Sequence, residues 1–226
     1  MMAIEKTRGD APHAGQRVWQ GGASLDKARG AVVMLHGRGA SADDILSLSD
    51  YFGQSDIAYL APQAAGHVWY PQRFMEPTER NQPWLSGALG VVRNLVDDVV
   101  ASGIAPENVV LLGFSQGACL ALESAARRPR RYGGVVGLSG GLIGADSEMW
   151  AGSPEIAGTP VILGCSELDA HIPLARVEAT AERFETSGAH VTKRIYRGSG
   201  HGVNDDEVAL IRTLLSGLGK PAGAKD

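Results

Sequence analysis

Short apolar runs alternate with helical patterns along the chain from residue 31 onward. The runs are four or five residues long, contain β-branched side chains and are bounded by glycine, proline or polar residues. Runs of this kind are typical of buried strands. They predict strands at residues 31–35, 57–60, 109–112, 135–138 and 161–165, and a further strand is predicted at 191–196.

Helical patterns follow most of these runs. Between residues 85 and 99, apolar side chains recur every three or four residues, as on an amphipathic helix. Further helices are predicted at 116–127, 174–184 and 208–218, and another begins after Ser41, which with Asp44 forms a variant of the capping box. This alternation predicts an α/β fold with a doubly wound, mostly parallel sheet and helices on both faces. Residues 16–20 are expected to add an antiparallel edge strand.

Residues 62–83 follow neither pattern. Prolines interrupt them at positions 62, 71, 77 and 83, and the aromatic residues Trp69, Tyr70 and Phe74 lie between. Loops of this length are uncommon inside compact domains and usually serve a function. We therefore expect this long loop to lie near the active site. The ends of the chain, residues 1–15 and 220–226, are expected to be poorly ordered.

The composition narrows the class of protein. A chain of 226 residues, 44% hydrophobic and 20% charged, matches one ordinary globular domain over residues 1–226. Its net charge of −4 argues against a nucleic-acid binder, which would carry a basic surplus. A small molecule is the expected partner.

The distribution of apolar residues and cysteines predicts the compartment. The first twenty residues hold no apolar run of signal-peptide length, and no window approaches the roughly 20 apolar residues of a membrane span. We expect a cytoplasmic protein without stable membrane insertion. Cys119 and Cys165 lie in apolar segments and are expected to be buried free thiols, although the sequence leaves a disulfide open.

The strongest chemical signal is Gly113-Phe114-Ser115-Gln116-Gly117. It lies between a predicted strand and an Ala/Leu-rich predicted helix, which is the setting of a nucleophilic serine on a strand-to-helix turn. Such a turn strains the serine backbone, so its neighbours must be small. It also presents the hydroxyl to the helix N-terminus, where negative charge is favoured. A chance glycine-rich turn is the alternative, and the flanking elements favour Ser115 as nucleophile.

A serine hydroxyl needs a base, and six histidines are available. His201 lies in a glycine-rich loop directly after the last predicted strand, at the carboxyl edge where catalytic groups of α/β sheets gather. His190 lies at the opposite end of the same strand, and His13 and His67 are expected to be exposed bystanders. His171 lies two residues after Asp169, which is assigned below as the acid that orients the base, so His171 is not assigned as the base. His201 is therefore the predicted base.

The third group should be a carboxylate that holds the imidazole in the right tautomer and stabilises its charge. The loop after the strand at 161–165 offers Glu167 and Asp169, both at the required edge. We favour Asp169, because a short loop lets it project toward His201. Glu167 suits the role of a solvated loop charge.

Acyl transfer also needs an oxyanion hole. One donor is expected to be the backbone N–H of Gln116, the residue after the nucleophile. The other is expected from His36-Gly37-Arg38-Gly39, which follows the strand at 31–35, and we assign it to the Arg38 N–H. The alternative for this stretch is a plain tight turn before a helix. His36 is expected to support the loop by hydrogen bonding and not to act as a base.

These stretches together resemble the phospholipase/carboxylesterase family of α/β-hydrolases, which includes bacterial carboxylesterases and the acyl-protein thioesterases. The matching residues are Leu35-His36-Gly37-Arg38-Gly39, Gly113-Phe114-Ser115-Gln116-Gly117, Asp169-Ala170-His171-Ile172-Pro173 and Gly200-His201. The resemblance implies an α/β-hydrolase fold, in which the chain order serine, acid, histidine is the expected one. The Ile-Pro pair that follows the aspartate matches the family and supports Asp169 over Glu167.

The resemblance also implies a reaction: hydrolysis of carboxylic esters or thioesters through an acyl-enzyme, without a metal or cofactor. Members of the family act on short- to medium-chain esters, lysophospholipids or S-acylated proteins. A homodimer is common among similar proteins, and the sequence leaves the oligomeric state open. The proline-broken region from Trp69 to Pro83 departs from the animal acyl-protein thioesterases, which favours a small-molecule ester as substrate.

The long loop supplies the candidate substrate contacts. Trp69, Tyr70 and Phe74 are candidate walls of an apolar pocket, with core packing as the alternative. Arg73 is a candidate contact for a substrate carboxylate or phosphate, with a solvated arginine as the alternative.

Two rival functions stay open: another hydrolytic or acyl-transfer activity on the same fold, and a non-catalytic ligand-binding homologue. The complete set of triad residues argues against the second.

Overall fold

The computed structural model of the chain describes residues 4–198 and 200–219. Within them the strands are β1 Val18–Gly22, β2 Gly30–Leu35, β3 Ile57–Pro62, β4 Val109–Phe114, β5 Gly134–Leu138, β6 Pro160–Ser166 and β7 His190–Tyr196. The helices are α1 Ala42–Leu46, α2 Trp84–Ala101, α3 Gln116–Arg127, α4 Leu174–Thr186 and α5 Asp205–Ser216. The strands form one sheet in the order β1-β3-β2-β4-β5-β6-β7. Only β1 pairs antiparallel, with β3, so the predicted α/β fold with an antiparallel edge strand is confirmed.

The core lies on both faces of this sheet. Along β2, Ala31, Val33 and Leu35 belong to one apolar cluster, whereas Val32 and Met34 belong to the other. The first cluster is covered by α2, α3 and α4, and the second by α1 and α5. Every residue of β2 is buried, because helices cover both faces of the strand. The same burial extends over nearly all of β2 to β6, which explains why these inner strands are mostly apolar runs without alternation.

The element bounds differ from the predicted ones by a few residues, for local reasons. The edge strand starts at Val18, and Pro62 is the last residue of β3, where it pairs with Val18 of the edge strand. Proline is tolerated at such an end, next to the edge of a sheet. Helix α5 begins at Asp205 because the Asn204 side chain accepts a hydrogen bond from the Glu207 N–H and caps the helix.

Residues 4–15 depart from the expectation of a loosely ordered tail. Lys6 pairs with Arg17, and the Thr7 hydroxyl donates to the His13 carbonyl oxygen. His13 was expected to be exposed, and this prediction is wrong, because its side chain is fully buried. Its Nδ1 accepts from the Ala65 N–H at 3.1 Å and its Nε2 lies 2.9 Å from the Trp69 carbonyl oxygen. The expected frayed ends at 1–3 and 220–226 lie outside the described residues.

Two further expectations concern the thiols and the membrane. Cys119 and Cys165 are both buried and unpaired, as expected. Among the helices in the described part of the chain, none has the length and apolar character needed to span a bilayer.

Truncating a leucine in the central strand should destabilise the protein. Leu111 in β4 is 0% exposed, so Leu111→Ala removes buried methyl groups and leaves a cavity. We expect its free energy of unfolding to fall by about 2–5 kcal/mol in urea denaturation. Leu168→Ala is the matched control, because Leu168 is 84% exposed and the same truncation removes no core contact there. Equal losses in the two variants would contradict the described core.

Candidate active site

Ser115 lies on a strained turn between β4 and α3. Its backbone has φ 53° and ψ −117°, a conformation that residues other than glycine rarely adopt. The glycines on either side make the turn sterically allowed. A Cβ at Gly113 would lie 2.1 Å from the Gly117 carbonyl oxygen, and a Cβ at Gly117 would lie 2.0 Å from the Leu35 carbonyl oxygen. The Ser115 N–H donates to Leu138 in β5 at 2.9 Å, which fixes the turn to the sheet.

His201 lies on the loop between β7 and α5, and its ring reaches Ser115 at the end of β4. Its Nε2 is 2.9 Å from the Ser115 Oγ. The ring packs between Phe114 and His171, with centroid distances of 5.0 and 4.9 Å. His190, by contrast, is the first residue of β7 and lies at the opposite edge of the sheet. Of the histidines considered from the sequence, His201 is the one whose ring reaches the serine hydroxyl.

Asp169 lies after β6 and contacts the other nitrogen of the same ring. Its Oδ2 is 2.7 Å from the His201 Nδ1, and its Oδ1 accepts from the backbone N–H groups of His171 and Ile172 at 2.8 and 3.0 Å. Burial works to raise the pKa of Asp169, but these hydrogen bonds outweigh burial and lower the pKa. Glu167 instead faces Arg197 at 3.6 Å. The structure thus joins Asp169, and not Glu167, to His201.

The hydrogen-bond pattern fixes where the imidazole proton sits. An ionised carboxylate can only accept a hydrogen bond, so the His201 Nδ1 must donate to Asp169. A neutral imidazole carries one proton, and its Nε2 is then an acceptor that faces the Ser115 hydroxyl. This tautomer is the one that can take a proton from the serine.

The two residues expected to supply the oxyanion donors, Arg38 and Gln116, line one cleft together with Ser115. The Gln116 N–H is the first of α3 and belongs to the donors that a helix leaves without an intrahelical partner. Gly37 packs against the serine turn, since a Cβ there would lie 3.5 Å from the Ser115 Cβ. The Gly37 carbonyl oxygen is held by His36 Nδ1 and the Ala40 N–H, so the Arg38 N–H on the same peptide unit points the opposite way.

His36 supports this loop from inside, in the manner expected from the sequence. Its side chain is fully buried, and its Nε2 accepts from the Ala64 N–H at 3.1 Å while its Nδ1 lies 2.7 Å from the Gly37 carbonyl oxygen. Burial lowers the pKa of His36, which favours the neutral ring. Both ring nitrogens are engaged with the backbone, so no free nitrogen remains to act as a base.

A cleft of about 890 Å³ opens over Ser115 and His201. Among the predicted substrate contacts, Tyr70, Arg73 and Phe74 line this cleft. Trp69 does not line it: the ring is fully buried and its Nε1 donates to the His36 carbonyl oxygen, which corresponds to the core-packing alternative. The cleft is also lined by residues that the sequence did not suggest: Cys119, Met75, His171, Ile172 and Pro173. His171, Ile172 and Pro173 follow closely after Asp169 in the chain, and this position could have indicated from the sequence that they lie near the site.

Glu207 is a buried acid next to the site that sequence reasoning missed. It is 1% exposed, its Oε2 accepts from the Asn204 N–H at 2.9 Å, and its Oε1 packs against Gly164 of β6. It therefore connects the end of the His201 loop to the strand that precedes Asp169. Burial raises the pKa of Glu207 from its usual 4.5 to about 7. The hydrogen bond from the Asn204 N–H lowers this pKa, and the charge of Asp206 raises it slightly.

The sheet order, the strained serine after β4, and the histidine and aspartate on loops at the same edge define an α/β-hydrolase. Comparison with known proteins gives a narrower assignment. The sequence profile of the Phospholipase/Carboxylesterase family matches residues 22–218. The chain belongs to this family, and the resemblance inferred from its motifs is confirmed.

Individual relatives agree with this assignment. A phospholipase/carboxylesterase from Dyadobacter fermentans has 37% identity and a TM-score of 0.85, over 92% of this chain and 100% of that one. A probable carboxylesterase of Oryza sativa subsp. japonica is 25% identical over 90% of this chain and 83% of its own length. Acyl-protein thioesterase 1 of Saccharomyces cerevisiae is 26% identical over 85% of this chain and 94% of its own length. Membership in this family supports hydrolysis of an ester or thioester bond.

The raised pKa of Glu207 predicts a pH-dependent loss of stability. Between pH 4.5 and about 7 the folded protein holds a proton that the unfolded chain has released, so stability falls as pH rises through this window. Glu207→Gln keeps a neutral side chain at every pH. In thermal unfolding at pH 5 to 8, we expect the melting temperature of the variant to rise relative to that of the wild type as pH increases.

The matched control for this effect is Glu182→Gln, which changes an exposed glutamate of α4. The difference between its melting temperature and that of the wild type should stay constant across the same pH range. If the Glu207→Gln variant also kept a constant offset, Glu207 would not be the group that titrates.

Proposed function

We propose that this chain is a carboxylesterase that cleaves small carboxylic esters through an acyl-enzyme formed on Ser115. The observation that carries the proposal is the continuous hydrogen-bonded row from Asp169 Oδ2 through His201 to Ser115 Oγ, with distances of 2.7 and 2.9 Å. A serine beside a base that is itself oriented by a third group is the arrangement needed for nucleophilic catalysis.

The proposed reaction has two halves. In the first, the Ser115 Oγ attacks the ester carbonyl carbon while the His201 Nε2 takes the hydroxyl proton, and the resulting oxyanion is held by the Arg38 and Gln116 N–H groups. Collapse of this intermediate breaks the ester C–O bond, and His201 gives its proton to the leaving alcohol. In the second, water attacks the acyl-enzyme by the same route and releases the acid. Asp169 stabilises the imidazolium in each half.

The cleft supports a small-molecule ester as the substrate. Tyr70, Phe74, Met75 and Ile172 give it apolar walls suited to an acyl chain, and its volume of about 890 Å³ lies within the range of small-molecule pockets. Arg73 and His171 lie on the same walls and offer polar contacts. A thioester is the second candidate, because relatives such as the Saccharomyces cerevisiae protein are named acyl-protein thioesterases.

A panel of substrates separates these candidates. We propose p-nitrophenyl esters of rising acyl length, an acyl-thioester and a lysophospholipid, compared by kcat/KM. The small-ester proposal expects the highest value for a p-nitrophenyl ester, at an acyl length that reports the depth of the cleft. A higher value for the thioester or the lysophospholipid would reassign the substrate while leaving the nucleophile unchanged.

Removing the nucleophile should abolish turnover. Ser115→Ala deletes only the hydroxyl, so we expect a fall in kcat of about 10⁴-fold or more with an unchanged melting temperature. Fluorophosphonate labelling of the wild type, followed by mass spectrometry, should place the adduct on Ser115, and the variant should not be labelled. Wild-type esterase activity in this variant would rule out Ser115 as nucleophile.

Asp169 and Glu167 can be distinguished by a matched pair of amide variants. Asp169→Asn removes the charge that orients and stabilises His201, and we expect kcat to fall by about 10⁴-fold. Glu167→Gln changes a carboxylate that lies on the same loop as Asp169 but faces Arg197, and kcat should stay within about twofold of the wild type. The assignment of the acid would be reversed by a large loss in Glu167→Gln together with a small one in Asp169→Asn.

A further inference from the structure

The Arg38 side chain makes contacts that the proposed chemistry does not require. Its guanidinium leaves the loop after β2 and crosses to the long loop, where Nη2 donates to the carbonyl oxygens of Tyr70 and Gln72, both at 2.9 Å. Its Nη1 donates to the Pro71 carbonyl oxygen at 3.0 Å. One cation therefore binds three consecutive carbonyl groups, and no carboxylate among the described residues forms an ion pair with it.

The Gln116 side chain binds the same stretch of backbone. Its Oε1 accepts from the Trp69 N–H at 2.9 Å, and its Nε2 donates to the Tyr70 carbonyl oxygen at 2.8 Å. Gln116 is only 6% exposed, so these bonds form away from competing water. The backbone of residues 69–72, here called the 69–72 segment, is thus held by two side chains that come from different parts of the chain.

These two side chains belong to the two residues whose backbone N–H groups are the proposed oxyanion donors. Each of these residues therefore combines a proposed N–H donor with a side chain that is fixed to the 69–72 segment. Amide donors stabilise an oxyanion best when their direction is set before charge develops, because no reorganisation is then needed. A guanidinium suits this task, since its planar array of N–H groups binds several carbonyls in one fixed geometry.

We propose that the Arg38 side chain is a positioning residue, which fixes the direction of its own N–H donor by clamping the 69–72 segment. The inference rests on the proposed function, because it assumes that an oxyanion forms at Ser115. It also connects the oxyanion hole to the substrate wall, since Tyr70 belongs to the clamped segment and lines the cleft. A substrate that displaced this wall would disturb the donor as well.

The experiment compares Arg38→Met and Arg38→Lys with the wild type on one p-nitrophenyl ester. Methionine keeps the length of the side chain but binds no carbonyl, and we expect kcat to fall by about 10- to 100-fold while KM changes by less than about threefold. Lysine is a point charge that binds fewer carbonyls at once, so its kcat should lie between the two. If Arg38→Met does not fold, the Arg38→Lys variant alone must still show the loss in kcat.

The affinity for an inhibitor that forms a tetrahedral adduct is a second measurement, and it should not change if Arg38 only stabilises the fold. A trifluoromethyl ketone forms a hemiketal oxyanion on the serine, so its inhibition constant should rise in Arg38→Met by about the same factor as kcat falls. The control is Arg29→Met. The Arg29 guanidinium also binds two backbone carbonyls, those of Leu215 and Leu218, but it lies at the opposite end of β2 from the oxyanion loop. That variant should lower the melting temperature and leave kcat and the inhibition constant of the folded enzyme unchanged.

The outcomes separate this inference from the proposed function. An inactive Ser115→Ala variant together with a wild-type kcat in Arg38→Met would overturn the role of Arg38 alone. An active Ser115→Ala variant would overturn the proposed function. Equal patterns in Arg38→Met and Arg29→Met, with lower melting temperature and unchanged kcat, would show that Arg38 only stabilises the fold.

Discussion

The start of α3 comes almost into contact with the end of β2, and the geometry of the whole site depends on this approach. A side chain at Gly117 would meet the Leu35 carbonyl oxygen at 2.0 Å, so only glycine allows it. At the same place Ser115 has its strained conformation, Gln116 begins α3 directly after it, and Gly37 packs against the serine turn. This close approach of α3 to the end of β2 therefore brings together the nucleophile and the two residues that carry the proposed donors. The strain at Ser115 is offset by the Leu138 hydrogen bond and by the packed sheet beneath it.

The sequence predicted the parts of this arrangement that depend on pattern and topology. Buried strands appear as short apolar runs, and the carboxyl ends of parallel strands meet at one edge, so Ser115, Asp169 and His201 could be assigned to loops that converge there. The distances that join these three residues could only come from the structure. The element bounds differed where a local cap decides them, as at Asn204 before α5.

The contacts of Arg38 and Glu207 were not predictable, because each joins a long side chain to the backbone of a segment distant in the sequence. Arg38 binds carbonyls more than thirty positions away, and Glu207 packs against Gly164 from a separate helix. Carbonyl groups are the same at every residue, so the sequence carries no pattern that identifies which ones a guanidinium will bind. The misassignment of His13 has the same origin. A lone histidine in a polar terminal stretch gives no signal of burial, and its partners are again backbone groups, at Ala65 and Trp69.

His13 also carries an evolutionary implication. It supports the Trp69 carbonyl from behind, one residue from the wall of the cleft, yet it precedes the family match, which begins at residue 22. The shape of the cleft thus depends partly on a segment outside the portion that the family profile shares. Homologues that differ only ahead of the matched portion can therefore differ in the shape of this wall, without any change in a residue that lines the cleft.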